Sequence, residues 1–70
     1  VGFAQDRTAE DYIRGANSFI AQGDCAFAQY QFQEALKLDA TNVEAMLGKG
    51  RSLVCQGAVA LGIEEYQKVL

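Results

Sequence analysis

The 70-residue chain contains no proline, no histidine and no tryptophan, and it has only two cysteines. Without histidine, the serine–histidine and cysteine–histidine pairs that activate a catalytic nucleophile cannot form. Two cysteines alone also fall short of the four ligands of an ordinary zinc site. These absences argue against such enzymes and against a zinc protein, and we expect a non-catalytic chain with no cofactor.

Basic residues are also few, six against nine acidic residues, which gives a net charge of −3. The basic residues are scattered, whereas binding to nucleic acid phosphates needs clustered lysine and arginine. No apolar run approaches the roughly 20 residues that span a bilayer. The first seven residues lack the basic start and apolar stretch of a signal peptide. We therefore expect no nucleic acid partner and no membrane insertion.

The two cysteines, Cys25 and Cys55, both fall in helical patterns. Because no secretory context is visible, the interpretation favours reduced thiols that pack as small residues, together with a cytoplasmic location. A disulfide stays open as the alternative, since both residues are expected near the turn ends of neighbouring helical hairpins.

An internal repeat dominates what is present: residues 9–36 align with residues 43–70 at an offset of 34. Seven aligned pairs are identical, and most others exchange residues of similar character. The identical pairs are Glu10/Glu44, Ser18/Ser52, Gln22/Gln56, Gly23/Gly57, Ala26/Ala60, Gln33/Gln67 and Leu36/Leu70. A fixed period of this length is typical of a copied supersecondary unit that stacks into a solenoid.

Apolar residues spaced at 3.6 predict four helices, over 9–22, 25–38, 42–56 and 59–70. Thr8 and Thr41 are the predicted N-caps of the first and third helices, each with an acidic residue three positions on. Gly23 and Gly57 are expected to end the first and third helices. The third helix is the weakest prediction, because two interior glycines each cost about 1 kcal/mol relative to alanine.

Loops of two to four residues make successive helices antiparallel. The predicted fold is all-α, with two antiparallel helix-turn-helix hairpins stacked as a short right-handed α-solenoid. The predicted organisation is a poorly ordered lead-in over 1–8, repeat 1 over 9–42 and a truncated repeat 2 over 43–70. Because two repeats are marginal by themselves, we expect a fragment, a chain that continues, or a pairing with another copy.

The 34-residue unit resembles the tetratricopeptide repeat. In the first copy Tyr12, Ala16 and Phe19 match the first-helix pattern, and Ala28, Phe32 and Ala35 match the second. The second copy places Leu53 and Tyr66 at the corresponding large positions. The resemblance implies that these eight residues form the structural core. Departures occur at the usual leucine, replaced by Gly15 and Lys49, and at the usual proline, replaced by Ala40, so that the second helix is free to run on or to fray differently.

Tetratricopeptide repeats bind peptides or partner helices in a concave groove lined by the first helix of each repeat. The resemblance therefore implies a protein or peptide partner. The implied groove residues are Glu10, Ile13, Arg14, Asn17, Leu47 and Arg51, with Ala21, Glu44, Gly48 and Cys55 on the same side. A carboxylate clamp for chaperone tails fits poorly, because Ile13 and Gly48 stand where it needs lysine and asparagine. The competing interpretation is an ordinary solvated helix surface.

The string from Gly48 to Ser52 superficially resembles a phosphate loop, but it lacks the required spacing and a preceding strand. Adjacent Glu64 and Glu65 are interpreted as a solvated face.

The last helix carries Val59, Leu61, Ile63, Val69 and Leu70, more apolar surface than its neighbours should cover. An alternative function is therefore self-association into homo-oligomers through this helix. Packing against further repeats of a parent chain is the other expectation for the same surface.

Overall fold

The computed structural model describes residues 7–70, and within that range the chain forms four helices and no strand. The helices are α1 (Ala9–Ala21), α2 (Cys25–Leu38), α3 (Val43–Cys55) and α4 (Val59–Gln67). The all-α prediction is confirmed. Most of the predicted lead-in, residues 1–6, lies outside the described residues.

Side-chain caps fix where the first three helices begin. Thr8 and Asp11 form a reciprocal capping box at α1, as the sequence predicts. Asp24 caps α2 by accepting from the backbone N–H of Phe27. The predicted cap Thr41 is wrong: Asn42 caps α3 and accepts from the backbone N–H of Ala45 at 2.9 Å. Asparagine satisfies the free amide at least as well as threonine does.

The turns after α1 and α3 are copies of one another. Gly23 and Gly57 have φ of +86° and +93°, the left-handed region that glycine enters without steric cost. In the first turn the backbone N–H of Asp24 donates to Phe19 O at 2.8 Å, and in the second Ala58 donates to Leu53 O at 2.9 Å. The 34-residue offset is therefore a structural repeat as well as a sequence repeat.

The second helix does not run on in the absence of proline. It ends at Leu38, and the carbonyl of Asp39 accepts from Asn42 to close the next turn. Helix α4 stops at Gln67, three residues earlier than predicted. Its last amides, including Leu70 to Gln67 O at 3.2 Å, bond three residues back, so the final turn is tighter than an α-helix.

Successive helices pack on one another, α1 on α2, α2 on α3 and α3 on α4, and α1 also contacts α3. The core follows the small and large positions of the repeat. Ala16, Ala28, Phe32 and Ala35 are fully buried, and Leu53 is nearly so. Half-buried around them are Tyr12, Phe19, Ile20 and Leu36 in repeat 1 and Tyr66 in repeat 2.

The glycines of α3 and α4 mark where helices approach closely. The ring of Tyr66 lies over Gly50, so that an added Cβ there would lie 2.7 Å from the ring. A Cβ on Gly62 would lie 2.9 Å from Gly50 O. Glycine within α3 therefore lowers the stability of that helix, but it allows α3 and α4 to pack closely.

Candidate interaction surfaces

The contact of α2 with α3 shows how one repeat covers its neighbour. Phe32 of α2 is fully buried, and its ring lies over Gly48 of α3, where an added Cβ would come within 2.2 Å of Phe32 Cε1. Ser52, one turn later, is also fully buried and donates from Oγ to Gly48 O at 2.9 Å. The absence of a side chain at Gly48 of α3 therefore leaves room for the ring of Phe32 of α2.

A disulfide closes the other end of the same contact. Cys25, the first residue of α2, is bonded to Cys55, the last residue of α3, with Cα atoms 6.1 Å apart. The interpretation as reduced packing thiols is therefore wrong. The helices lie side by side with these two ends adjacent, a juxtaposition that neither helix reveals by itself. Gln56 adds a polar contact there, donating to Gln29 Oε1 at 2.7 Å.

Repeat 2 has the same surface, and no other part of residues 7–70 covers it. Val59 is 51% exposed, whereas its counterpart Cys25 is 5% exposed. Leu47 is 40% exposed, whereas its counterpart Ile13 is 4% exposed and belongs to the core cluster. We call this surface the end face. Its residues are repeat-2 counterparts of better-covered repeat-1 residues: Leu47, Val54, Val59, Ile63, Tyr66 and Leu70.

Not every exposed apolar residue of α4 belongs to the end face. Leu61 is 53% exposed, but its counterpart Phe27 in repeat 1 is also exposed, at 41%. Phe27 packs against Phe19 with ring centroids 4.5 Å apart and is not covered by α3. Counting apolar residues along α4 cannot separate Leu61 from Ile63, whereas comparing burial between repeats does. The same comparison identifies Val54, which counting along α4 missed.

The residues of the predicted groove divide into two groups. Glu10, Arg14 and Arg51 are exposed and Asn17 is half-buried; we call these four the polar face. Ile13 instead lies in the core, and Leu47 lies on the end face. Gly48 is buried beneath Phe32 rather than open to a partner.

Charges on the polar face are unevenly paired. Arg14 forms an ion pair with Asp11 one turn earlier, whereas Arg51 makes no ion pair within residues 7–70. The backbone N–H of Thr8, with a smaller contribution from Arg14, lowers the pKa of Asp11 below its usual value. Arg51 therefore offers the guanidinium best placed to bind an incoming carboxylate.

Glu65 is not part of a solvated face, and that prediction is wrong. Its carboxylate is almost buried and lies 3.8 Å from Lys49 Nζ of α3 and 2.8 Å from Lys68 Nζ. Lys49, at the place of the usual leucine, is thus held by a partner on the next helix. The repeat-1 counterpart of Glu65 is Gln31, which is also buried.

The phosphate-loop-like string lies wholly inside α3, where Gly48, Gly50 and Ser52 are buried. No helix within residues 7–70 has the length and hydrophobicity needed to cross a membrane. In the same range, no three carboxylate or cysteine side chains come together as a group able to hold a metal ion.

Comparison with known proteins adds no relative. No protein-family model matches the chain, and neither a curated protein nor a solved structure matches it.

Proposed function

We propose that this chain is a non-catalytic protein-interaction module built from two tetratricopeptide-type repeats stacked as a short right-handed α-solenoid. The proposal rests on the resemblance of the repeat pattern and on one structural observation, the end face. Its side chains are more exposed in repeat 2 than their counterparts are in repeat 1. Contiguous apolar surface of this kind marks sites of protein–protein contact.

A library of helical peptides displayed on phage, selected against the immobilised 70-residue chain, tests this function. Bound clones are then compared on two variants, Ile63→Glu on the end face and Leu61→Glu beside it. Both replace an apolar α4 residue of similar exposure with the same charge, so Leu61→Glu is the matched control. We expect clones that bind the wild type and the Leu61→Glu variant but do not bind the Ile63→Glu variant. A selection yielding no such clones would contradict the proposal.

A second candidate surface is the polar face, where a peptide would lie along α1 and α3. The observation that favours it is that Asn17 and Arg51 occupy equivalent positions on two helices in contact, with Arg51 outside the ion pairs of the described chain. An amide and a guanidinium so placed suit the backbone and carboxylate of an extended peptide. Peptides that bind here should lose affinity with Asn17→Ala, Arg14→Ala or Arg51→Ala and keep it with Ile63→Glu.

Self-association through α4 is the remaining alternative. Sedimentation velocity over a concentration series distinguishes it: an oligomer that dissociates in Ile63→Glu but not in Leu61→Glu would place a second copy on the end face. If the chain stays monomeric over the whole concentration series, binding of a different protein remains the proposed function of the end face.

A further inference from the structure

We infer that the end face binds an amphipathic helix of a partner protein that carries a glycine opposite Tyr66, and that it does not accept α1 of a second copy of this chain. The inference rests on the proposed function and adds the chemistry of the partner.

The chain's own α2–α3 contact is the template for this partner. The covered stripe on α2 runs through Cys25, Gln29, Phe32 and Leu36, spaced as one helical face. The helix that covers it is antiparallel to α2 because the connection between them is short. At the centre of the contact stands Gly48, whose lack of a side chain accommodates the Phe32 ring.

The same stripe recurs on the end face at the 34-residue offset, as Val59, Ile63, Tyr66 and Leu70. Valine and isoleucine replace the cysteine and glutamine, so the stripe is more apolar than the one α3 covers. Tyr66 takes the place of Phe32, with a ring at least as large. A helix lying here as α3 lies on α2 needs glycine opposite that ring, because a Cβ at the equivalent place already falls 2.2 Å from Phe32.

A second copy that docked head to tail would offer α1, the counterpart of α3, and two residues oppose that arrangement. Where α3 has Ala45 and Gly48 facing α2, α1 has Asp11 and Arg14, which form an ion pair. Docking α1 would bring a long side chain onto the ring of Tyr66 and bury two charges against apolar surface. The rest of the covering face is shared, with Ser18 and Gln22 at the places of Ser52 and Gln56.

The test uses the ¹⁵N-labelled 70-residue chain and a peptide of its own residues 42–57 with Cys55→Ser. The peptide is held helical by a hydrocarbon staple joining positions 47 and 51, which are exposed in α3 and do not pack on α2. The matched control is the same stapled peptide with Gly48→Leu. We expect saturable shifts of the backbone amides of residues 59–70, with at least tenfold weaker binding of the control. Binding should persist in Leu61→Glu and disappear in Ile63→Glu.

Equal binding of the two peptides, shifts confined to residues away from α4, or no saturable shift with the glycine peptide would each overturn the inference. The proposed function is tested separately by the display selection, and it fails if that selection yields no clones that depend on Ile63. Selected clones that need Ile63 but lack a glycine would retain the interaction function and overturn only this choice of partner.

Discussion

At the residue scale, two glycines inside helices, Gly48 of α3 and Gly15 of α1, have opposite roles. A Cβ on Gly48 would fall 2.2 Å from the fully buried ring of Phe32, whereas a Cβ on Gly15 would meet only Arg7 Nη2, at 3.7 Å. The first glycine is required by packing. Gly15 lowers the stability of α1, and no close contact requires a glycine at that position.

We therefore predict that Gly48→Ala lowers the free energy of unfolding by up to about 2 kcal/mol, because overpacking costs about 1–3 kcal/mol and the gain in helix propensity returns only about 1 kcal/mol. Gly15→Ala, the matched control, should raise it by about 0.5–1 kcal/mol. Urea denaturation of the two variants measures both. Stabilisation by both substitutions would show that the Phe32 ring moves aside freely.

A second residue-scale prediction concerns Asp11. Its pKa is lowered first by the backbone N–H of Thr8, which donates to Oδ2 at 2.9 Å, and only to a lesser degree by Arg14. A carboxyl whose folded pKa lies below its unfolded value stabilises the fold above the unfolded pKa, and this contribution is lost as pH falls through the folded pKa. The relevant window is therefore below the ordinary value of 3.8.

We expect Arg14→Ala to leave the pKa of Asp11 below its ordinary value, because the Thr8 amide remains in place. An NMR titration of the Asp11 carboxyl carbon in both proteins gives the answer. A return of the pKa to the ordinary value in Arg14→Ala would mean that the guanidinium, and not the cap, controls it.

At the scale of the helices, the sequence predicted what depends on one element and its flanks. The four helices, the capping box at Thr8 and the left-handed glycines Gly23 and Gly57 follow from local patterns, and the structure confirms them. Two of the wrong predictions, the reduced cysteines and the solvated Glu65, depend on which residues meet across helices, whereas the wrong cap at Thr41 is a one-residue error within a single element. Glu65 looked solvated because its partner Lys49 lies on a different helix.

The candidate site divides in the same way. The repeat pattern predicted an apolar excess on α4, but it could not show that Ile63 matches a covered position and Leu61 an exposed one. Ile13 and Leu47, equivalent in sequence, were both assigned to the groove. They differ in burial because, within residues 7–70, repeat 1 has a neighbouring helix on that side and repeat 2 does not.

The disulfide between α2 and α3 supports a prediction at this scale. It closes a separation of 30 residues, for which chain-entropy estimates give about 3–4 kcal/mol of stabilisation. We expect Cys25→Ser combined with Cys55→Ser to lower the free energy of unfolding by that amount. Dithiothreitol should destabilise the wild type to a similar degree and leave the double variant unchanged. A wild type with two titratable thiols under oxidising conditions, and no response to the reductant, would contradict the bond.

At the scale of the whole molecule, the two ends of the helical array differ in chemistry. The α4 end presents apolar residues, whereas the outer side of α1 presents the ion pair of Asp11 and Arg14. Complementary ends on one chain would produce a heterologous contact, which does not close and extends into open fibres. The charged pair on α1 removes that complementarity, so head-to-tail docking of α1 on the end face is disfavoured.

Two side chains of α1 therefore oppose head-to-tail assembly. We predict that Asp11→Ala combined with Arg14→Gly, which gives α1 the alanine and glycine that α3 uses against α2, allows head-to-tail assembly. Sedimentation velocity should then show oligomers that grow with concentration, where the wild type remains monomeric. Adding Ile63→Glu should restore the monomer by charging the opposite end, and adding Leu61→Glu should not. If the double variant is folded by circular dichroism yet stays monomeric at millimolar concentration, the end face does not accept a helix in the manner in which α2 accepts α3.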